Sequence, residues 1–383
     1  MTGARRRVTQ QDIARMTGVS QATVSLVLNG RSDADVKLSA ETREKVLRAI
    51  AETGYVADPI ARRLAARHNR IIGVFTYEPV FPSANSDFYH PFLVGIEQQA
   101  EVLGCDLLLM TSTPVVDGRR RIFHGDNRLR LADGSILLGR TIDRADLARL
   151  LAEEIPFVSI GRRDDAGGPV PYVGADYAAA TAEIVRRAVD LGHDRLAYLG
   201  LGAGPESWAD RGRGFRDAVA SAGVFGGHFP TPVSGGPGGG TPAPGEQAAA
   251  DSQRHDARPA RGPGRGALSE QAATAARDTA AVLDAALAAG ITAVIAEEHA
   301  DGVALFELAR ARGVALSVAT LGEPTRAALP TAVEFTSLRI PRQAMGAQAV
   351  EVLTALIEGT PGARQRLLPC EVVPGETLTE RGN

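Results

Sequence analysis

Cysteine is scarce. Cys105 and Cys370 lie far apart and outside any CxxC or Cys/His cluster, which argues against a disulfide-stapled scaffold and a zinc site and points to a reducing, cytoplasmic setting. No run approaches the roughly 18 consecutive apolar residues that a membrane span needs. The stretch "MTGARRRVTQ" is basic but has no apolar segment behind it, so an export signal is not expected. The motifs GxSxG, HExxH and GxxxxGK[ST] are absent, and the seven histidines form no evident dyad with a nucleophile. The glycine-rich run near 235 lacks the strand and helix of a phosphate-binding loop. The expectation is a chain with no catalytic residues, no metal and no cofactor.

What remains is a globular composition, 44% hydrophobic and 23% charged, over 383 residues, enough for two or three domains. The charge is unevenly placed. Residues 1–68 hold twelve Lys/Arg against seven Asp/Glu, although the whole chain carries a net charge of -3. A basic head on an acidic body is expected when one end meets a polyanion; the plainer reading is a solvated charged tail.

Within the head, Thr9 is placed to cap a helix running to about Met16, with Ile13 and Ala14 on its apolar side. In "TGVS", Gly18 takes a turn, Val19 plugs inward and Ser20 caps a second helix, in which Val24, Val27 and Leu28 form one buried stripe. Gln21, Ala22, Ser25 and Leu26 are left largely outside. Two short helices joined by a Gly-bearing turn describe a helix-turn-helix, although any amphipathic helical pair could show the same spacing. Ser20, Thr23, Ser25 and Asn29 are short hydrogen-bonding groups suited to phosphate oxygens, and Gln21 can reach a base edge. A third helix follows, capped by Ser39, with a Glu41–Lys45 pair, a stripe of Val46, Leu47 and Ile50, and a stop at Gly54. "ADPIARRLAARH" then has Asp58 as cap and Pro59 at the first helical position, but is too short to be helical unless something holds it.

From Ile71 the pattern becomes short apolar runs alternating with amphipathic helices. "IIGVF", "CDLLLM", "GSILLG", "PFVSIG", "RLAYLG", "TAVIA" and "LSVATLG" read as buried strands, with helices at 92–103, 143–152 and 178–191 among them. Such alternation builds parallel sheets covered on both faces, which place ligands beyond the carboxyl ends of their strands. Residues 223–266 are dominated by Gly, Pro, Ala and charge and read as a disordered insertion.

The strings "VTQQDIARMTGVSQATVSLVLNG", "LSAETREKVLRAIAETGYVADPIARRL", "DLGHDRLAYLG", "RGRGFRDAV" and "TSLRIPRQAMG" together resemble the lactose/galactose repressor (LacI/GalR) family of bacterial transcription regulators. The likeness covers nearly the whole chain outside roughly 223–275. It implies an N-terminal all-α helix-turn-helix head (1–57), a hinge helix and linker (58–70), and an α/β bilobed periplasmic-binding-protein-like (type I) effector domain with two parallel-sheet lobes (71–383). Lobe 1 is then expected at about 71–161 and 324–350, and lobe 2 at about 162–323 and 351–383, with the chain crossing three times between them. By the same resemblance Gln21, Ala22 and Leu26 read bases, while Thr9, Ser20, Thr23, Ser25 and Asn29 meet phosphates. Leu64 wedges into the minor groove with Ala61 beside it. Leu26 departs from the basic residue often found at its position.

In the cleft the resemblance implies that Phe88 and Tyr89 stack on a ligand, that Arg211 clamps effector oxygens and that Asp176 begins the second lobe. Arg162, Trp208 and Glu323 join them from strand ends and a neighbouring segment. Asp176 equally fits a helix cap and Trp208 equally fits a packed side chain. Where the family usually has "ND" this chain has "AEEHADG", so Glu298 or His299 takes that place. The implied function is a sequence-specific transcriptional regulator, a repressor controlled by a small molecule of the sugar class. Its partners would be double-stranded pseudo-palindromic DNA and a second copy of the chain, in a dimer or a tetramer. The alternative is a solute-binding protein that shares the bilobed fold.

Overall fold

The computed structural model describes residues 8–29, 39–53, 55, 69–78, 83–111, 114–116, 119–123, 128–230, 278–323 and 333–382. The chain divides into two units, Met1–Asn69 and Arg70–Asn383. The predicted hinge residues Ala61 and Leu64, the stop at Gly54 and most of the predicted insertion lie outside the described residues.

In the first unit, α1 (Gln10–Thr17) starts at a reciprocal capping box. The Thr9 hydroxyl accepts from the Asp12 N–H at 3.2 Å, and the Asp12 carboxylate accepts from the Thr9 N–H at 3.0 Å. Gly18, at φ 67°, ends the helix in the left-handed conformation that glycine adopts without a Cβ penalty. Helix α2 (Gln21–Asn29) begins after Ser20, whose hydroxyl accepts from the Thr23 N–H at 3.1 Å. Helix α3 (Ala40–Thr53) begins after Ser39, which accepts from Thr42 in the same way. Ile13, Ala14, Val24, Val27, Val46 and Ala49 form the shared core, with Val19, Leu28 and Ile50 packed against it. The expected stripe on α3 needs one correction: Leu47 is exposed and Ala49 is buried in its stead. Val46 and Ala49, three apart, lie on the same side of the helix, whereas Leu47 is turned about 100° from Val46. The i,i+4 ion pair seen on this helix is Glu44–Arg48 at 2.9 Å.

The second unit contains two six-stranded sheets. The first has the order β13-β7-β6-β5-β1-β2, from β1 (Ile71–Thr76), β2 (Asp106–Met110), β5 (Gly134–Leu138), β6 (Phe157–Ile160), β7 (Tyr172–Ala175) and β13 (Gln365–Leu368). A short hairpin, β3 (Val115–Val116) and β4 (Arg119–Arg120), lies outside it. The second has the order β14-β12-β11-β10-β8-β9, from β8 (Arg195–Leu199), β9 (Phe225–Phe229), β10 (Ala293–Ala296), β11 (Ser317–Thr320), β12 (Thr336–Arg339) and β14 (Glu371–Val373). Within the two six-stranded sheets all pairings are parallel except β12 with β14. The central strands are buried end to end, as sheets covered on both faces require.

Helices cover these faces. On the first sheet lie α4 (Ser83–Val102) and α5 (Arg144–Ala152), and on the second α6 (Tyr177–Asp190), α7 (Glu206–Ala222), α8 (278–288) and α9 (His299–Ala311). Helix α10 (Arg342–Glu358) returns to the first sheet and packs on α4. Each sheet has apolar clusters on both faces, one against each helical layer. Among the described residues no helix is long and apolar enough to cross a membrane.

Three short crossings join the lobes, at Asp176, at Ile340–Pro341 and at Pro369–Cys370. Their positions correct the expected boundaries. Strand β7 pairs with β6 and belongs to lobe 1, although 162 onward was expected in lobe 2. Strand β12 pairs with β11 and belongs to lobe 2, although 324–350 was expected in lobe 1. The end of α10 and β13 sit in lobe 1, although 351–383 was expected in lobe 2. β6 and β7 pair directly with no intervening helix, which keeps the chain in the first sheet past 162. The expected insertion is corrected at its start: Phe225–Phe229 is a strand in register with Arg195–Leu199, and its two glycines still supply ladder hydrogen bonds.

Candidate functional site

On the head, Gln21 and Ala22 are exposed, and Thr23, Ser25 and Leu26 are half-buried on α2. Gln21 lies 3.5 Å from the Gln10 side chain, and the Ser20 and Thr23 hydroxyls are 2.9 Å apart. Of the polar groups expected to meet DNA, Ser20 and Gln21 are exposed and Thr23 and Ser25 half-buried in the first turns of α2, with Thr9 capping the helix before it. The Asn29 side chain lies outside the described residues.

The second unit brings the other candidates to the carboxyl ends of the parallel strands. After β1, the chain enters α4 earlier than the sequence suggested, so Phe88 and Tyr89 lie within a helix. Their rings meet edge to face, with centroids 4.9 Å apart. Tyr89 is fully buried in the lobe 1 core, and its hydroxyl donates to Glu78. Burial, followed by the nearby Glu78 charge, pushes its phenol well above the ordinary range. Phe88 is half-buried, with the guanidinium of Arg140 4.8 Å and that of Arg342 5.1 Å from its ring centroid. Arg342 follows β12 and pairs with Glu323, which also accepts from the Ile340 N–H at 2.8 Å. Burial is the main influence lowering the pKa of Arg342.

Arg211, in α7, is 6% exposed. Its Cζ sits 4.2 Å from the centroid of Tyr177, at the start of α6, and its Nε has no hydrogen-bond partner. Burial opposes its charge, but its polar neighbours, the Glu298 and Glu297 carboxylates among them, outweigh that and raise its pKa. Trp208, one turn earlier, is partly buried beside Gly204. Glu298 is the residue before α9 and makes no side-chain cap. His299 turns its ring to Thr320, with Nδ1 3.1 Å from the hydroxyl, and stacks edge-on against Phe335, so burial lowers its pKa. Asp176 caps α6, accepting from the Ala179 N–H at 3.0 Å, while its own N–H donates to the Leu368 carbonyl at 2.8 Å.

Arg162, after β6, reaches across the lobes. Its Nε donates to Asp210 of α7 at 2.6 Å and its Nη1 to Asp164 at 2.6 Å. Arg163 adds a second link, to Glu206 at 3.0 Å, while also donating to the Gly139 carbonyl at 2.6 Å. Phe88, Arg162, Trp208, Arg211, Glu298 and Glu323 thus gather where the lobes face each other; Tyr89 and His299 are packed behind them.

Sequence reasoning missed Glu297, Asp210, Arg140, Tyr177 and Arg342. Glu297 is buried and its Oε2 accepts from the Leu201 N–H at 2.7 Å and the Gly202 N–H at 3.2 Å. Burial raises its pKa. A Cβ on Gly200 would come within 2.4 Å of Glu297, so the loop can close on the carboxylate only with glycine there. The signals for these residues were present but unread: Glu297 stands beside Glu298, Tyr177 beside Asp176, and Arg342 inside "IPRQAMG".

Comparison with known proteins gives the same division. The family described as "Bacterial regulatory proteins, lacI family" matches residues 9–58. "Periplasmic binding protein-like domain" matches 185–378, and "Periplasmic binding proteins and sugar binding domain of LacI family" matches 78–230. Similar curated proteins include catabolite control protein A of Priestia megaterium, 30% identical over 57% of this chain and 62% of that protein. The sucrose operon repressor of Klebsiella pneumoniae is 31% identical over 57% of this chain and 63% of its own length. The matched region thus spans just over three-fifths of these relatives. Among solved structures, the lac repressor dimer bound to operator and the anti-inducer ONPF superposes with a TM-score of 0.61 at 20% identity, covering 98% of this chain and 100% of that one. The CelR–cellobiose complex gives 0.54 at 23% identity, covering 97% and 100%. With a matching helix-turn-helix head followed by a matching bilobed body, the chain belongs to the lacI family of bacterial regulatory proteins.

Proposed function

We propose that this protein is a DNA-binding transcriptional repressor whose affinity for its operator is set by a small polar effector, of the carbohydrate class, held between the lobes. The observation that carries the effector half is Arg211, a buried guanidinium with an unpaired Nε where the two lobes meet. A buried donor left without a hydrogen-bond partner is costly to a fold and persists where function uses it. Phe88 offers a flat apolar face, Arg211 a bidentate donor and Glu298 an acceptor, a set suited to a polyhydroxylated ring. The lac repressor and CelR structures, described with operator DNA and with cellobiose respectively, support reading the two units this way.

On this reading the head meets phosphates through Thr9, Ser20, Thr23, Ser25 and Asn29, and bases through Gln21, Ala22 and Leu26, with Leu26 fitting a thymine methyl. Two copies would place two heads on a pseudo-palindrome, since two-fold protein symmetry calls for matching half-sites. Leu64, with Ala61 beside it, is assigned the minor-groove wedge between them. Effector binding would bias lobe closure and through it the hinge, a coupling of about 1–3 kcal/mol or roughly 5- to 150-fold in DNA affinity.

Footprinting on DNA upstream of the protein's own gene and its neighbours, with and without a panel of sugars, tests the whole reading. A protected palindrome whose occupancy changes with one sugar is expected; indifference to every fragment at low and moderate salt defeats it. In the same assay Gln21→Ala should relax discrimination at one base pair by about 1–3 kcal/mol. Leu64→Ala should weaken specific binding by a few kcal/mol, on the order of the unstacking and bending it supports.

A further inference from the structure

Between helix α7 and the outer edge of the second sheet lies a cavity of about 200 Å³, lined by lobe 2 residues alone. On the helix side its walls are Gly212, Phe215, Arg216 and Val219. These stand at i, i+3, i+4 and i+7 and so share one face of α7. On the sheet side they are Tyr198 of β8 and Gly226 and His228 of β9. Tyr198 and His228 are register partners, so their side chains leave the same face of the sheet, and Gly226, two residues before His228, belongs to that face too. Glycine lets the last strand come close to α7 here, because a Cβ on Gly226 would lie 2.7 Å from Val219 Cγ2. It also supplies no side chain to fill the space beside it.

The walls are aromatic and held in place. The ring centroid of Tyr198 is 5.5 Å from that of Phe215 and 5.7 Å from that of His228. Tyr198 and Phe215 are buried, and His228 donates through Nε2 to the Gly200 carbonyl at 2.7 Å. No carboxylate lines the cavity: Glu297 is held by the 200–204 loop, and Asp210 by Arg162 and Arg213. Arg216 is the one permanent charge in the lining; it is exposed and forms no ion pair among the described residues. Rings and a valine offer water few hydrogen bonds, whereas a flat ring can meet all three aromatic groups, and an apolar cavity of about 150 Å³ already accepts benzene. The arginine shares the helix face that lines the hollow, so its stem runs along the wall and its head meets solvent at the rim.

We propose that this cavity is a small-molecule site separate from the gap between the lobes, and that it takes a single-ring aromatic carboxylate. The ring lies among Tyr198, Phe215 and His228, and the carboxylate meets Arg216. The site bears on the cleft from behind. A Cβ on Gly212 would be 2.6 Å from the Gly202 carbonyl oxygen, so α7 and the 200–204 loop touch at the cavity wall. The same helix carries Glu206 and Asp210, which reach Arg163 and Arg162 of lobe 1. An occupant under α7 therefore presses on the element that links the lobes.

The test uses the full chain with benzoate, benzyl alcohol and acetate as probes, at ionic strength held constant with sodium chloride. Calorimetric titration and thermal melting are read for wild type, Arg216→Gln, Val219→Phe and Phe88→Ala. Benzoate should bind saturably and raise the melting temperature, benzyl alcohol should bind more weakly, and acetate should do neither. Arg216→Gln should weaken benzoate about 10-fold and leave benzyl alcohol as it was. Val219→Phe, which puts another ring into the hollow, should abolish binding of both. Phe88→Ala, in the gap between the lobes, should change neither.

Benzoate that fails to bind saturably, or binds no better than acetate, overturns the proposal. Loss of benzoate binding in Phe88→Ala would place the ring in the cleft and overturn it as well. Binding of benzoate and benzyl alcohol that is equal and indifferent to Arg216→Gln overturns the assignment of an acid. The melting temperature of Val219→Phe without probe reports whether that variant folds, and the exposed Arg216→Gln decides the outcome if it does not.

Discussion

Glu297 and His193 show how single buried polar groups hold the ends of strands in place. Glu297 takes two backbone N–H groups of the 200–204 loop on one oxygen, while its other oxygen has no partner. Glu297→Gln keeps an acceptor for those N–H groups and should change stability little, whereas Glu297→Ala leaves them unpaired and should cost about 1–3 kcal/mol in urea unfolding. His193 bonds through Nδ1 to the Thr292 hydroxyl and through Nε2 to the Thr379 carbonyl, both at 2.9 Å. A carbonyl can only accept, so Nε2 carries the hydrogen; Nδ1 accepts from Thr292 only while the ring is neutral. Burial lowers the His193 pKa, so the unfolded chain binds a proton more readily than the folded one. The stability this contributes is present above the ordinary histidine range and is lost as pH falls through about 6.5 toward the lowered folded value. The melting temperature should therefore drop between pH 7.5 and 5.5, and less steeply in His193→Gln; an equal slope in that variant would refute the assignment. Neither role was legible in the sequence. In "AEEHADG" two adjacent glutamates compete for one inward position, and the backbone turn that chooses between them is set by the glycine loop almost a hundred residues earlier.

Elements were more legible than their partners. Apolar runs marked the strands because a strand buried on both faces has little choice of composition, and the caps at Thr9, Ser20 and Ser39 were visible because a cap needs a short oxygen at one position. Lobe membership was hidden, since strand order lies in hydrogen bonds between distant segments; β7 and β12 were assigned to the wrong lobes for that reason. The crossing of α4 and α10 was hidden too. A Cβ on Gly95 would lie 1.9 Å from the Gln343 carbonyl oxygen, and one on Gly346 would lie 2.2 Å from that of Phe92. The backbones touch at both points, so both helices need glycine for the space it leaves rather than for its dihedral freedom. Gly346→Ala should force the helices apart and lower stability by about 1–3 kcal/mol or more, even though alanine is the better helix former. Gly359→Ala, where nothing lies within 4 Å of the added carbon, separates the effects. Its penalty comes from the backbone alone, at φ 68°. A Gly346→Ala protein with unchanged urea midpoint would show that the crossing can relax without cost.

Across the whole second unit, two lobes joined by three short crossings can open and close with little change inside either, so what spans the gap decides which state prevails. Arg162–Asp210 and Arg163–Glu206 span it. Asp210 is almost fully buried and also holds Arg213 at 2.9 Å, so removing its charge takes an ion-pair partner from two guanidinia, one on each lobe. Arg162 keeps Asp164 and some solvent, which limits the loss to less than the about 3–5 kcal/mol of a fully buried pair. Asp210→Asn should therefore favour the open arrangement without unfolding either sheet. Amide exchange measured on the full chain should quicken around 161–164 and 206–211 and stay unchanged in the central strands β5 and β10. Arg339→Ala, which breaks the exposed pair with Glu371, should leave exchange in those segments as it was, because a solvated ion pair contributes at most about 1 kcal/mol. Faster exchange spread evenly over both lobes in Asp210→Asn would mean that the ion pair supports the fold rather than the closed state. Exchange unchanged everywhere would mean that the lobes are held by packing at the crossings alone, and any effector would then have to act on the hinge by some motion other than closure.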